Sequence, residues 1–468
     1  MNSKKNYLNK ISFEAVKMLK DVNADKIFQK KEVLKIAITG LNKSGKTVFI
    51  TSLINQLLSG KRLGSLGNKK EFVAKLLPFQ ETITDTNQEF NYRSILNGVR
   101  EEIPKWPQST ASVSKAVIRL EIKSLSSFFP NKILDIEIID YPGEWLFDLP
   151  MLNKSFEDWS EEMLSDINNS SKKNIARDWQ NEFAKFDIYG FNDGANDKSI
   201  SNKYRDYLRT IHNMGFSVIQ PGRNIQGGNI KDVSTLLFSP LPKPKYITPH
   251  EDSIYNRFKK RYERYILEMV TPLAEKYFSQ FDRQIILVDV LKSLQNGYSA
   301  FLDMTQAMKK IIEIYSYGNQ SFLKKMVDTR IDKVFFGASK ADYVSSTQHQ
   351  NYQNLLTTII EDAKRELNIK GIDTKSLIFS SVKSTTDEVK EFQGKNLDCL
   401  KGLLVGAENP TIEYSGEIPV NFPIREDWKE GMFSFPKFAP IRFPDRDIDA
   451  VQHINMDLII DYIIGDKL

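Results

Sequence analysis

The sequence predicts an α/β fold. A doubly wound, mostly parallel sheet carries one antiparallel hairpin and is interrupted by a large, mainly helical insertion. Three observations predict it. A β-type run over 33–39 leads into Gly40-Leu41-Asn42-Lys43-Ser44-Gly45-Lys46-Thr47, and then into an apolar-periodic helix. Two runs of alternating apolar residues, 117–122 and 133–139, flank a short polar stretch and suit a hairpin. Beyond residue 280, short apolar strands alternate with helix-length segments, the pattern of parallel strands joined by helices.

Each element follows in order. Residues 1–29 read as a polar, partly helical lead-in. The first α/β part is expected over 30–150. Its first helix is marked by Ile50, Leu53, Ile54, Leu57 and Leu58, and Gly60 stands where it should end. Residues 60–70 are rich in Gly and Lys, and the chain to Thr110 reads as irregular. The residues between the hairpin strands, 124–131, include Pro130 and Asn131.

Past Pro150 the pattern becomes helical. Phe156, Trp159, Met163 and Ile167 share one face, as do Ile175, Trp179, Phe183 and Phe186; Tyr204, Leu208 and Ile211 continue it. A long helix over 253–279 is expected to kink or break at Pro272. The insertion is therefore 151–280. Strand patterning resumes at 285–290, a continuous apolar run suited to burial on both faces. A helix at 298–315, a strand at 333–338, a helix at 350–367 and a strand at 375–381 complete the second α/β part, 281–400. The tail, 401–468, is expected to pack on the α/β unit and to end in a helix over 454–464.

Composition narrows the function classes. The 468 residues carry a net charge of +5, too balanced to imply nucleic acid as a partner. The single cysteine, Cys399, excludes an intramolecular disulfide and agrees with a reducing cytoplasm. No run approaches the length of a spanning helix, and no apolar segment after Met1–Lys5 suggests a secretory signal. His212, His250, His349 and His453 are scattered without metal-ligand spacing.

The chemistry resides in four motifs. The loop Gly40–Thr47 between a strand and a helix start is built to hold phosphates. Its backbone N–H groups face anionic oxygens, Lys46 supplies a point charge to β- and γ-phosphates, and the Thr47 hydroxyl can ligate Mg²⁺. Asp140-Tyr141-Pro142-Gly143 follows an apolar strand. Asp140 suits the Mg²⁺ hydration shell there, and the Gly143 N–H can sense a γ-phosphate. Ser339-Lys340-Ala341-Asp342 follows the 333–338 strand. The Asp342 carboxylate can accept from the N1–H and 2-amino group of guanine, a donor pair that adenine lacks, while the Lys340 stem packs over the base. Ser380-Ser381-Val382-Lys383 ends the next strand, where backbone N–H groups can meet the guanine oxygen.

Three further positions fit the same ligand. Thr110, with Ser109 as its rival, is the candidate switch hydroxyl that reaches Mg²⁺ when a γ-phosphate is present. Trp106 can stack on base or ribose. Glu144 stands where a glutamine would orient the attacking water, and its charge facing the phosphate predicts slow hydrolysis. Arg223 suits a surface or structural role better than that of an internal arginine finger. The basic and aromatic segment 255–265 (Arg257, Lys259, Lys260, Arg261 and Arg264 among Tyr255, Phe258, Tyr262 and Tyr265) fits an amphipathic helix better than a lipid or RNA surface.

With these residues in view, the chain resembles the YcjX-like family of bacterial P-loop GTP-binding proteins. The resemblance rests on Thr39-Gly40-Leu41, Ser44-Gly45-Lys46-Thr47, Trp106-Pro107-Gln108-Ser109-Thr110 and Asp140-Tyr141-Pro142-Gly143-Glu144-Trp145-Leu146. It continues through Asp148-Leu149-Pro150, Gln220-Pro221-Gly222-Arg223, Val288-Asp289, Lys340-Ala341-Asp342 and Ser381-Val382. It implies the P-loop NTPase fold of Ras-like, TRAFAC-type GTPases in a stress-associated bacterial protein, encoded in some bacteria beside a membrane protein. Ser339 departs from the Asn or Thr usual at that position of GTPases.

The expected protein binds GTP or GDP with Mg²⁺ through Ser44, Gly45, Lys46, Thr47, Val48, Trp106, Ser109, Thr110, Gly143, Lys340, Asp342, Ser381 and Val382. Thr47, Thr110 and Asp140 hold the metal; Lys46, Thr110 and Glu144 serve hydrolysis. It acts as a slow switch in the cytoplasm or at the periphery of the inner membrane, with a membrane protein or membrane surface as partner. Two alternatives stay open: an ATP-using P-loop enzyme indifferent to guanine, and a nucleotide-gated scaffold at a membrane surface.

Overall fold

The computed structural model describes residues 31–41, 43–64, 66, 71–78, 88–101, 104–107, 112–123, 131–225, 233–276, 278–316, 331–429, 432–441 and 450–468. The lead-in 1–29 and most of the hairpin connection expected at 124–131 lie outside the described residues.

Eight strands build the main sheet: β1 (Lys31–Gly40), β2 (Phe72–Leu77), β3 (Gln88–Glu89), β4 (Ser114–Ile122), β5 (Lys132–Asp140), β6 (Arg283–Val288), β7 (Lys333–Ala338) and β8 (Asp373–Ile378). Their order is β2-β4-β5-β1-β6-β7-β8, with β3 beside β4. From β5 to β8 every pairing is parallel, whereas β4 is antiparallel to both β5 and β2. This is the mixed α/β sheet expected, with β1 and the end that carries Gly40 at its centre.

Period-two alternation divides the strands between two cores. Ile36 and Ile38 of β1, Ile136 and Ile138 of β5, and Ile285 and Leu287 of β6 face one side. There they meet Phe49, Ile50, Leu53 and Ile54 of α1 (Lys46–Ser59). Ile286 and Val288 of β6 and Phe336 of β7 face the other side, in a cluster that also holds the insertion's Trp159, Trp179, Tyr204 and Tyr262. All six residues of β6 are buried, as a strand covered on both faces requires.

The region expected to be irregular up to Thr110 holds order that the apolar pattern hides. β2 is a half-exposed edge strand, so its apolar face is incomplete. The short helix α2 (Tyr92–Arg100) starts at Asn91, whose side chain accepts from the Ser94 N–H at 3.4 Å.

In the insertion, α3 (Phe156–Asn168) and α5 (Asp197–Asn213) bury the residues expected. α4 is shorter than its pattern, Arg177–Phe183. The long helix begins as α6 (Ile254–Tyr265), widens into a π turn over Ile266–Val270 and resumes as α7 (Thr271–Lys276). Pro272 has no N–H for the carbonyl four residues back, and the turn before it is the one that widens.

Beyond β6, α8 (Val290–Gln295) is a helix the periodicity did not separate. It is capped by Asp289, which accepts from the Lys292 N–H at 2.9 Å. α9 (Tyr298–Ser316) and α10 (His349–Ile369) follow as expected. A second sheet spans the boundary drawn at 400: β9 (Thr385–Phe392), β10 (Lys395–Gly402) and β11 (Thr411–Glu413), all antiparallel. β9 is mostly exposed and polar, so it left no apolar signature; Gln393 and Gly394 make its turn with φ of 49° and 76°. The last helix, α11 (Met456–Ile464), buries Met456, Ile459, Ile460, Ile463 and Ile464 in the cluster that holds α1.

Candidate functional site

The phosphate-type loop is set by its own backbone. The Leu41 N–H donates to Leu287 O at 3.0 Å and the Ser44 N–H to Leu41 O at 3.0 Å, which ties the loop to the end of β6. A Cβ on Gly40 would lie 2.0 Å from Ser44 Oγ, so the turn needs glycine there. Gly45 (φ 80°) precedes α1 and offers it no side-chain cap, which leaves the first N–H groups of the helix to an anionic ligand.

Across from this loop, the end of β5 closes tightly against it. Lys46 Nζ lies 2.7 Å from Asp140 Oδ1 and also donates to the Tyr141 carbonyl. A Cβ on Gly143 would fall 2.0 Å from the Gly40 carbonyl oxygen and 3.3 Å from Thr39 Oγ1. The two loops are therefore packed backbone to backbone. Thr39 Oγ1 is buried and has no hydrogen-bond partner among the described atoms.

The 3-10 helix Gly143–Asn153 that follows is held by the insertion. Asp148, 1 % exposed, accepts from the Gly222 N–H at 2.9 Å and from the Tyr265 hydroxyl at 2.5 Å. Burial pushes the Asp148 carboxyl up to about 7, while Tyr265 and the Gly222 N–H pull it the other way. Arg223 stacks over the Trp145 ring at 3.7 Å, so its guanidinium is engaged in a packing role. A Cβ on Gly222 would meet the Glu144 carbonyl oxygen at 2.4 Å. Glu144 itself is buried, with Oε1 3.4 Å from His212 Nε2.

The base-side residues converge from the other strand ends. Asp342 is 3 % exposed and accepts from the Ser384 N–H at 2.6 Å. Burial raises its pKa, opposed by the Ser380 hydroxyl and the Ser384 N–H. Lys340 adopts a left-handed φ of 65° and pairs with Asp289. The Ser52 hydroxyl of α1 donates to Ser381 O at 2.6 Å and joins the phosphate-side helix to the 380–383 loop. Trp106 Nε1–H donates to Phe438 O at 2.8 Å.

One cavity of about 370 Å³ is lined from the 40–48 and 142–144 loops and from the 339–343 and 380–384 segments; Asp140, Asp148 and Asp289 are not among its lining residues. Ser44, Gly45, Lys46, Thr47 and Val48 line it, as do Gly143 and Glu144. Ser339, Lys340, Asp342, Ser381, Val382 and Trp106 line it as well. Ser109 and Thr110 lie outside the described residues. The sequence reading did not name Tyr343, Ser384, Val405 or Lys437, which also line the cavity, and gave Pro107 no role in it. Lys437 and Val405 come from the region around the second sheet, and nothing local marks them. Among the candidate metal ligands, the Thr47 hydroxyl and the Asp140 carboxylate are hard oxygen donors of the kind Mg²⁺ takes.

The basic and aromatic segment is α6. Tyr255, Phe258, Tyr262 and Tyr265 are buried in the core. Arg257 and Arg261 pair with Asp197, Lys259 with Glu157 and Arg264 with Glu268. Its basic face is thus largely engaged within the protein. Among the described residues, no helix is long and apolar enough to cross a membrane.

Similarity to known proteins extends over the same span. The YcjX-like family (DUF463) matches residues 34–468. A protein of Escherichia coli (strain K12) named Ras-like GTPase YcjX is 32% identical over 452 residues, covering 93% of this chain and 96% of its own length. A protein of the same name from Shewanella oneidensis is 29% identical over 485 aligned positions, covering 96% of this chain and 99% of its own. From residue 34, within β1, to the last of the chain, the family match takes in every strand end that lines the cavity. This P-loop-type α/β protein belongs to the YcjX-like family.

Proposed function

We propose that this protein binds guanine nucleotides with Mg²⁺ and hydrolyses GTP slowly, as a nucleotide-controlled switch. One observation carries the reading: the buried Asp342 carboxylate shares a single cavity with Lys46 and Thr47. That pairs a guanine-reading acceptor with a phosphate-holding loop. The names of the two relatives, Ras-like GTPase, support it.

In this reading Lys46 meets the β- and γ-phosphates as a point charge. Ser44, Gly45, Thr47 and Val48 offer backbone N–H groups, and Gly143 senses the γ-phosphate. Mg²⁺, when bound by Thr47, Asp140 and Thr110 (with Ser109 as its rival), supplies charge neutralisation for the phosphates. Asp342 reads the guanine N1–H and 2-amino group, Lys340 covers the base, Ser381 and Val382 meet its oxygen, and Trp106 stacks on base or ribose. Glu144 orients the attacking water, and its negative charge beside the phosphate makes hydrolysis slow. The division into 30–150 with 281–400, the insertion 151–280 and the extension 401–468 is part of the same proposal. So is a role in a stress or envelope response beside a membrane protein.

Calorimetry with GTP, GDP and ATP, on the wild type and on Asp342→Ala, tests the reading. Tight GTP and GDP binding is expected, with ATP at least about a hundredfold weaker and the variant about a hundredfold weaker for GTP. Equal affinity for ATP and GTP would instead indicate an ATP-using enzyme.

A further inference from the structure

Glu144 presents a problem that the neighbouring helix resolves. A carboxylate aimed at a triphosphate is repelled by it, and in a partly buried site that repulsion is poorly screened. Glu144 lines the cavity, and on its far side His212 Nε2 stands 3.4 Å from Glu144 Oε1. The two side chains are only 8% and 13% exposed, so the contact is largely shielded from water. His212 sits in the last turn of α5, so a regular helix carries its ring to Glu144. Among the described residues, Asp148, which Glu144 repels, and Arg223, which is stacked on Trp145, also carry charge near Glu144.

We propose that His212, supplied in cis by the insertion, is a positioning residue for Glu144. Its ring Nε2, set against Oε1, fixes that oxygen and offsets part of the carboxylate charge, which leaves Oε2 to hold the attacking water. The proposal rests on the GTP-hydrolysis reading above. In that reaction the water oxygen bonds the γ-phosphorus and the bond to the bridging oxygen breaks with its electron pair passing to GDP. The water proton passes through Glu144 to the released phosphate. A 3.4 Å contact is long for a hydrogen bond, and such contacts commonly tighten once substrate is in place. The insertion would then do more than pack against the sheet: it would set the charge of the group that faces the γ-phosphate.

The test is a cycle of four proteins, wild type, His212→Gln, Glu144→Gln and the double variant, with His212→Lys added. Turnover of GTP under saturating Mg²⁺, KM for GTP and Kd for GDP are measured for each. His212→Gln is expected to lower kcat about tenfold while KM and the GDP Kd change less than about twofold. His212→Lys, which places a positive charge beside Glu144 with a different shape, is expected to retain more of the turnover than His212→Gln. In the Glu144→Gln background, where no charge needs offsetting, His212→Gln is expected to change kcat less than about twofold. An equal loss in both backgrounds overturns the proposal, as does full turnover in His212→Gln. A wild type that binds no GDP and turns over no GTP defeats the nucleotide reading itself, and the proposal falls with it.

Discussion

Lys46 Nζ lies 2.7 Å from Asp140 Oδ1, and both side chains are at least nine-tenths buried. The lysine of the phosphate-type loop is thereby tied to the end of β5, two strand ends that are neighbours only because β1 and β5 pair in parallel. Removing one partner of a buried pair leaves a charge without its counterion, at a cost of about 3–5 kcal/mol. Lys46→Met is expected to lower the urea midpoint accordingly, and Lys46→Met with Asp140→Asn to recover most of the loss. A double variant no more stable than the single one would show that the pair is not what holds these strand ends.

Two glycines should differ sharply in their tolerance of alanine. At Gly143 the added methyl meets the Gly40 carbonyl oxygen at 2.0 Å and its carbon at 2.9 Å, backbone atoms that cannot rotate away. Gly143→Ala is expected to cost about 1–3 kcal/mol and to weaken GTP binding more than tenfold. At Gly45 the methyl meets nothing within 4 Å, and only the φ of 80° is unfavourable. Gly45→Ala should cost about 1–2 kcal/mol. Thermal melts and nucleotide titrations on the pair check the contrast.

Asp342→Asn exchanges an acceptor for a donor toward the base. Xanthine carries a carbonyl where guanine has its 2-amino group, so an amide N–H suits xanthine and opposes guanine. The variant is expected to lose about 10–100-fold in GDP affinity and to gain comparably for xanthosine diphosphate. Competition titration of the two nucleotides measures both. Loss of GDP binding without a gain for xanthosine diphosphate would place Asp342 in the fold rather than in base recognition, through its bond to the Ser384 N–H.

Asp148 should give the protein a pH-dependent stability. Its folded pKa, raised to about 7, lies above the ordinary carboxylate value, so the native state holds a proton that the unfolded chain has lost. The unfolded state therefore binds fewer protons between about pH 4 and 7, and stability falls as pH rises through that window. Asp148→Asn removes the titration while keeping an acceptor for the Gly222 N–H. The stability of the variant relative to wild type is expected to rise by about 1.4 kcal/mol per pH unit across the window and to level off above it. Denaturant unfolding at pH 5, 6, 7 and 8 checks the slope, and parallel curves would assign the pH dependence elsewhere.

What was legible in the sequence is what one strand and its following loop encode. The glycine pattern before α1, the acidic end of β5 and the Ser339–Asp342 turn each depend on a few consecutive residues at or just after the end of a strand of the sheet. The buried run of β6 and the aromatic stripe of α6 were readable because burial on a regular element leaves a periodic apolar record. β2 and β9 were not, because a half-exposed edge strand and a solvent-facing hairpin carry polar residues where the period should be apolar. His212 and Lys437 left no local mark at all.

The sequence by itself determined β1 and β4 to β8 of the main sheet, the helix that starts at Lys46 and the motifs at the strand ends, since each is a short-range consequence of periodicity, turn chemistry and capping. Only the tertiary structure decided which side chains share a charge or a cavity. Lys46 with Asp140, Glu144 with His212, and Asp148 with Gly222 and Tyr265 are each between 68 and 117 residues apart along the chain. Burial sets the energy of these contacts, and burial belongs to the packed molecule: the same Asp148 that would be ionised in solution at neutral pH is pushed up to about 7 where the insertion encloses it.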